Sequence, residues 1–435
     1  MAKRLLDTLA TVVTRFGGKS VNLLVFLIVA RQLSLAEMAI YGFVFSTTLI
    51  FSTMLDLGIR NSLAVFVGQE PDRAASYTRA SFLVWCVLAA VGVPISYITL
   101  HLSSLSIDIA ALAPPFSLLL AAMLYLRMMQ GTLLGEGDIR LFNTSELISR
   151  FVLLPCTLLL LAIPGSFTLM SAMWVLALSQ LVAALYLFAR QYRFIFRPSA
   201  NTLALTRRLI ARGFLFMLAV LLMNAAKRVS FLVVSHVEPE AAAGLFFSLQ
   251  RLTEIITEVG MAIAVVAFSY SVRAKSANDA VEGSAAMSRV AMVLFTLISV
   301  AMVASSSISV PLLLGARFAV DGWLFPLLVG TTLIGAPWTI LFPSLSVVLS
   351  PARVLLLMLP GVSLNILTAL PLTRAYGLEG AALSMLLSNL VLTGSFLVLY
   401  KVKFGIPMNR FLVIGRSDLS GLGTLAGKIT SRIKR

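Results

Sequence analysis

The chain has 435 residues, of which 59% are apolar and only 12% charged. A water-soluble domain runs nearer about 45–50% apolar and about 25% charged, which excludes a soluble globular fold and makes the bilayer the solvent. The net charge of +16 does not signal nucleic acid, because the lysines and arginines gather between apolar runs, where they act as topology determinants.

The opening Met1-Ala-Lys-Arg-Leu-Leu-Asp leads into an apolar stretch with no small-residue cleavage site and reads as an uncleaved start. Crossing a hydrocarbon core of about 30 Å takes about 20 helical residues. Runs of that length fall at 16–33, 39–60, 80–100, 111–134, 147–164, 168–189, 213–235, 241–269, 289–314, 323–347, 353–373 and 379–400. They are expected to be helices, since open strands would leave backbone groups unpaired in lipid. The fold class expected is all-α and polytopic, with about twelve transmembrane helices. Cys86 and Cys156, the only cysteines, lie inside these runs, so neither a disulfide framework nor a metal motif is indicated.

Ionisable residues inside spans are costly and usually face a bundle interior or an aqueous cavity. In the first span Arg15, Lys19 and Asn22 share one helix face, with Arg15 the snorkelling member near the edge. The second span is expected to end on Asp56 and Arg60. The seventh carries Asn224, Lys227 and Arg228 past its halfway point, and the eighth carries Arg251, Glu254 and Glu258 on one face. One reading is a cationic cavity formed by Lys19, Asn224, Lys227, Arg228 and Arg251, suited to an anionic ligand with phosphate oxygens. The other is internal neutralisation, with Arg251 and its neighbours paired to Glu254 and Glu258. Asp56, Glu254 and Glu258 are also the candidates for coupling transport to protons or ions.

Between spans, the segment 190–212 holds Arg190, Arg193, Arg197, Arg207, Arg208 and Arg212 without an acid, and reads mainly as a topology signal. Positive residues recur in the other even-numbered loops, and the odd-numbered loops hold only Arg31, Arg317 and Arg374. Both termini are therefore expected in the cytoplasm. An internal repeat relates Gly42 to Gly244, Phe45 to Phe247, Ser46 to Ser248, Asp56 to Glu258 and Gly58 to Gly260. With six spans on either side of the arginine-rich segment, such a repeat is parallel, about an axis along the membrane normal. The organisation expected is a six-helix lobe over 1–189, a basic cytoplasmic linker over 190–212, a second six-helix lobe over 213–400 and a basic cytoplasmic tail over 401–435, the lobes flanking a central cavity. The tail places Leu419, Leu422, Ala426, Ile429 and Ile433 at helical spacing beside Lys428, Arg432, Lys434 and Arg435, which fits a short helix on anionic lipid or a solvated tail. His101 and His236 are expected on the surface of external loops. The run Ser305-Ser306-Ser307 is expected to promote close packing within the ninth span. No nucleotide loop, metal site or hydrolytic triad is present, so no enzyme chemistry and no cofactor are expected.

Several stretches carry a family resemblance. Ala30-Arg-Gln-Leu-Ser-Leu-Ala-Glu-Met-Ala-Ile-Tyr-Gly42 with Leu55-Asp-Leu-Gly58 resembles the first two spans of Wzx-type polysaccharide-biosynthesis flippases. Met129-Gln-Gly-Thr-Leu-Leu-Gly-Glu-Gly137, Leu312-Leu-Leu-Gly-Ala-Arg-Phe318 and Tyr376-Gly-Leu-Glu-Gly-Ala-Ala382 are similar to later segments of that family, in matching order. The family belongs to the multidrug/oligosaccharidyl-lipid/polysaccharide exporter (MOP) superfamily, which implies a MATE-like fold. It implies a flippase in the bacterial inner membrane moving an undecaprenyl-diphosphate-linked oligosaccharide from the cytoplasmic to the periplasmic leaflet by alternating access. Surface polysaccharide assembly (O-antigen, capsule or exopolysaccharide) would be its setting, with membrane lipids and assembly proteins such as a polymerase and a chain-length regulator as partners. Departures are a thinner set of acids after the ninth span and no residue that fixes the sugar. The alternatives are a multidrug or cation antiporter of the same superfamily, which would need an acid-dominated cavity, and a lipid II flippase, whose fourteen or so spans this length would hold only tightly. A membrane polymerase or ligase is disfavoured by the short external loops.

Overall fold

Apolar runs bounded by capping residues and glycines become helices throughout. The computed structural model describes residues 17–18, 20–197, 201–254, 257, 277–318, 322–408 and 411. The first helix is α1, Ser20–Gln32. It is followed by α2, Leu35–Leu55, whose start is fixed by a capping box: Ser34 accepts from the Glu37 amide while the Glu37 carboxylate accepts from the Ser34 amide. Next come α3, Ile59–Gln69, α4, Ala74–His101, and α5, Ile109–Glu136. They lead to α6, Ile139–Ala162, α7, Leu169–Ile195, and α8, Thr202–Val237. The ninth helix, α9, runs from 240 to 254 within the described residues. Then follow α10, Ala277–Ala304, α11, Ser306–Leu314, α12, Leu324–Val348, and α13, Pro351–Phe404. Eight helices among the described residues are long and apolar enough to cross a membrane, so the chain is an all-helical, multi-pass membrane protein.

Three elements differ from the sequence expectation. The second span does not end at Asp56 and Arg60. The chain breaks there through Leu57 and Gly58, both at positive φ (50° and 73°), and resumes as α3. The ninth span is not continuous: Ser305 closes α10 by donating its hydroxyl to the Ala301 carbonyl at 2.7 Å, and its own carbonyl accepts the Ile308 and Ser309 amides that open α11. The serine run therefore divides two helices rather than packing one. Finally, α13 has 54 residues, about 81 Å of straight helix. It is instead a hairpin about Gly377 (φ 59°, ψ −139°). Ser384 donates to Asn365 Oδ1 at 2.9 Å and Ser388 to the Gly361 carbonyl at 2.9 Å, a register that only antiparallel halves produce. The last two spans of the sequence reading are these two arms.

The chain forms two compact units. The first comprises Met1–Ser248, Val310–Ala319 and Ala369–Ala381, and the second Leu249–Ser309, Val320–Thr368 and Ala382–Arg435. In the first unit, α3, α4, α5, α7 and α8 share one apolar core centred on Leu63, Tyr77, Leu124, Met128, Met129 and Leu187. Close approach comes from small residues: a Cβ on Gly131 or Gly135 would press on the backbone of Arg60 or Ala64, so the Gly131-x-x-x-Gly135 ridge of α5 lies flat on α3. At one end of this unit the loops meet through Arg79, which donates to the Arg197 carbonyl at 2.9 Å, and Arg208, paired to Glu70 at 3.3 Å. At the opposite end Ser104 donates to the Ser235 and His236 carbonyls at 3.1 and 3.2 Å, and the Ser106 amide donates to Glu240. His101 and His236, both exposed, belong to this second end.

Arg31 and Arg317, which break the charge pattern of the loops expected to be external, have a structural task. Arg31 donates to the Leu312 and Leu313 carbonyls at the end of α11, and Arg317 donates to the Ala30 carbonyl at the end of α1 at 2.8 Å. Each cation thus satisfies the open carbonyls and negative pole of the other helix. The second unit is built on α10 packed against α12, with Phe295, Trp338 and Phe396 fully buried. Trp338 donates to Asn389 at 2.8 Å and Thr332 to Thr253 at 3.2 Å, which ties α12 to α13 and to α9.

Candidate functional site: charged groups inside the first unit

The break between α2 and α3 is where charge enters the first unit. Gly58 can take its left-handed conformation without strain, and a Cβ there would collide with the carbonyl oxygen of Gly213 on α8. The paired glycines bring α8 against the break, and Asp56 is left 4% exposed beside it. The Asp56 carboxylate accepts from the Arg60 amide at 3.3 Å, and its carbonyl accepts from Ile59 at 2.8 Å, so the residue starts α3 as it ends α2. Its cationic neighbours are the guanidiniums of Arg127 and Arg60. Arg60 lies over the Phe142 ring of α6, 5.5 Å from the centroid. Arg127 projects from α5 one turn before Gly131, on the face that packs against α3. Its Nε is buried with no hydrogen-bond partner. Nearby in sequence on α6, Arg150 pairs with Glu146 at 3.8 Å, and the absence of a side chain at Gly18 leaves room for its guanidinium.

A second polar face belongs to α8. Asn224, Lys227 and Arg228 are spaced i, i+3, i+4 and so lie together. Asn224 donates to the Thr53 hydroxyl of α2 at 2.8 Å. Arg228 is 5% exposed, with its guanidinium 5.7 Å from the Phe45 ring centroid, also on α2. Lys227 is half-buried beside them. In lipid surroundings these contacts hold donors that water would otherwise solvate.

The sequence-predicted site residues therefore separate. Asn224, Lys227, Arg228 and Asp56 all lie in the first unit. Arg251 lies in the second, where it is ion-paired with Glu254 one turn along α9. Lys19 and Glu258, like Arg15, lie outside the described residues. Arg127 and Arg150 were not singled out by the sequence reading, although each sits in an apolar span and the rule that found Arg228 would have found them. The arginine-rich segment is also more than a topology signal: Arg208 and Arg212 lie 5.0 and 5.3 Å from the Phe66 centroid, Phe66 stacks on Tyr77, and Arg208 donates to the Tyr77 hydroxyl at 3.1 Å. Among the described residues no cluster of metal-ligating side chains occurs.

A family model for polysaccharide biosynthesis proteins matches residues 5–275. Among solved structures the chain is similar to the lipid II flippase MurJ in an inward closed conformation, at 14% identity and a TM-score of 0.70, over 93% of this chain and 89% of that one. It is similar to an inward-facing multidrug resistance transporter of the MATE family in the MOP superfamily, at 16% identity and a TM-score of 0.64, over 91% and 98% of the two chains. It is similar also to a MOP superfamily transporter from Pyrococcus furiosus, whose reversed pocket polarity suggests a different function, at 16% identity and a TM-score of 0.60, over 92% and 95%. At these identities the likeness is one of fold. No curated protein matches the chain in sequence.

Proposed function

The chain belongs to the polysaccharide biosynthesis protein family, and from that premise we propose that it carries an undecaprenyl-diphosphate-linked oligosaccharide from the cytoplasmic to the periplasmic leaflet by alternating access. Family and fold together make it a flippase-type transporter of the MOP superfamily. The observation that carries the finer reading is the sign of the charge inside the helices. Among the described residues of the first unit, Arg228 is buried, Arg60, Arg127 and Lys227 are half-buried within helices, and Asp56 is the one fully buried acid. Cations placed inside helices of a membrane protein suit an anionic ligand, and a diphosphate supplies two adjacent charges with oxygens spaced for guanidinium forks. A cationic drug would meet repulsion at the same groups. The P. furiosus MOP transporter, whose reversed pocket polarity suggests a different function, shares this fold.

In this reading Lys19, Asn224, Lys227, Arg228 and Arg251 bind the diphosphate and its first sugar. Asp56, Glu254 and Glu258 couple transport to an ion. The transport halves are the expected lobes 1–189 and 213–400 about the basic segment 190–212, with the tail 401–435, and residues 213–248 of the second half pack within the first compact unit. The protein sits in a bacterial inner membrane with both termini cytoplasmic, feeds a polymerase and its chain-length regulator, and serves O-antigen, capsule or exopolysaccharide assembly. The experiment is leaflet transfer of a fluorescent undecaprenyl-diphosphate oligosaccharide in proteoliposomes. The wild type is expected to transfer it, and Arg228→Ala to transfer at least about tenfold more slowly, about 1.4 kcal/mol of lost stabilisation. Uptake of a cationic dye with no lipid transfer would replace this reading with the antiporter.

A further inference from the structure

Arg127, counted above among the cations of the first unit, has no role of its own there, and its place on α5 is set by the packing of α5 on α3. Gly131 and Gly135, at i+4 and i+8 on the same face, let α5 lie flat on α3, which turns Arg127 toward the break holding Asp56. Its charged neighbours are Asp56 and Arg60. Asp56 accepts from the Arg60 amide at 3.3 Å, which holds the carboxylate at the start of α3. Arg127 is half-buried with its Nε out of solvent and without a hydrogen-bond partner. A guanidinium carries five donors in a planar fork, and a buried donor without an acceptor is unstable.

We propose that Arg127 is an oxyanion-binding residue: a phosphate of the lipid diphosphate docks on its guanidinium, and Asp56 is the internal counter-ion that holds that charge while the site is empty. The assignment rests on the lipid-diphosphate reading above and adds to it a residue and an exchange. A carboxylate brings one negative charge and a diphosphate two or more, so at equal distance the ligand wins the guanidinium. Its oxygens also match the planar fork, whereas Asp56 keeps its bond to the Arg60 amide. When the ligand leaves, Asp56 prevents an isolated buried cation, which sets the empty state ready for the next load. Asp56 thus weakens binding while protecting the unloaded protein.

The test is calorimetric titration of the full chain in nanodiscs with farnesyl diphosphate, with farnesyl monophosphate and farnesol for comparison. The wild type is expected to bind the diphosphate more tightly than the monophosphate and farnesol least. Arg127→Ala should weaken diphosphate binding by at least about tenfold, and Arg127→Lys by less, because charge survives but the fork does not. Asp56→Asn should tighten it several-fold. Since Arg127→Ala leaves Asp56 buried without its partner, the double variant Asp56→Asn/Arg127→Gln, which removes both charges, is measured beside it and is expected to bind as weakly. Wild-type affinity in both Arg127 variants, with elution and melting unchanged, overturns the assignment and leaves the flippase reading standing. A wild type that binds farnesol as well as the diphosphate overturns both.

Discussion

Asn224 and Arg228 sit one turn apart on α8, and each reaches α2 with a different chemistry: an amide donating to the Thr53 hydroxyl, and a guanidinium facing the Phe45 ring. The amide contact is expected to be weak, because side-chain hydrogen bonds between membrane helices average about 0.6 kcal/mol and reach about 1.7. A double-mutant cycle of Thr53→Val and Asn224→Leu, followed by unfolding in mixed micelles, should return a coupling in that range, and none if the two side chains are independent. The Arg228–Phe45 contact is buried, and buried contacts of this kind reach about 2 kcal/mol. Arg228 was legible in the sequence because a charge stands out in an apolar helix. Its partner was not, since a phenylalanine in a span looks the same whether it faces lipid or a guanidinium. For Arg251 the sequence left two places open, the cationic cavity or a pair with Glu254 and Glu258, and the structure shows the pair with Glu254.

Among elements, the α2–α3 break and the α8 crossing depend on glycines that a residue count would not distinguish. Gly58 and Gly137 have nearly the same left-handed backbone, φ 73° and 74°, but a Cβ at Gly58 strikes Gly213 while one at Gly137 meets open space. Gly137→Ala therefore isolates the backbone cost, about 1–2 kcal/mol. Gly58→Ala adds a steric collision with backbone that cannot swing aside. Melting of the two variants in the same detergent should place Gly58→Ala clearly below Gly137→Ala, and equal melting would mean that α8 yields at Gly213. The sequence repeat marks a further contact of this kind. Gly42 faces the Phe247 ring, and a Cβ on Gly244 would collide with the Leu35 carbonyl, so the matched positions are where α2 and α9 touch within the first unit. Their matching was readable along the chain, but the contact between them was not.

For the molecule as a whole, the first unit gathers its arginine-bearing loops at one end, tied by Arg79 to Arg197 and by Arg208 to Glu70, and its arginine-poor loops at the other. The positive-inside bias predicts that the arginine-bearing end faces the cytoplasm. With Cys86 and Cys156 replaced by Ser, a single cysteine at Asp72 should react with a membrane-impermeant thiol reagent only after the cells are opened, and one at Ser166 in intact cells. The reverse pattern would invert the protein and the direction of transport proposed for it.

What the sequence determined alone is set by quantities that add up along the chain. Mean polarity forces the bilayer as solvent, about 20 apolar residues suffice for a spanning helix, and loop charge predicts which end faces the cytoplasm. These hold whatever the helices touch. The tertiary structure decided what depends on pairs of residues far apart in sequence: that Asp56 lies inside a broken helix beside Arg127, that Arg31 and Arg317 cap each other's helices rather than mark topology, and that Ser305 ends one helix and starts another. A buried charge is affordable only with a specific neighbour at a specific distance, and neither the neighbour nor the distance is written in local composition.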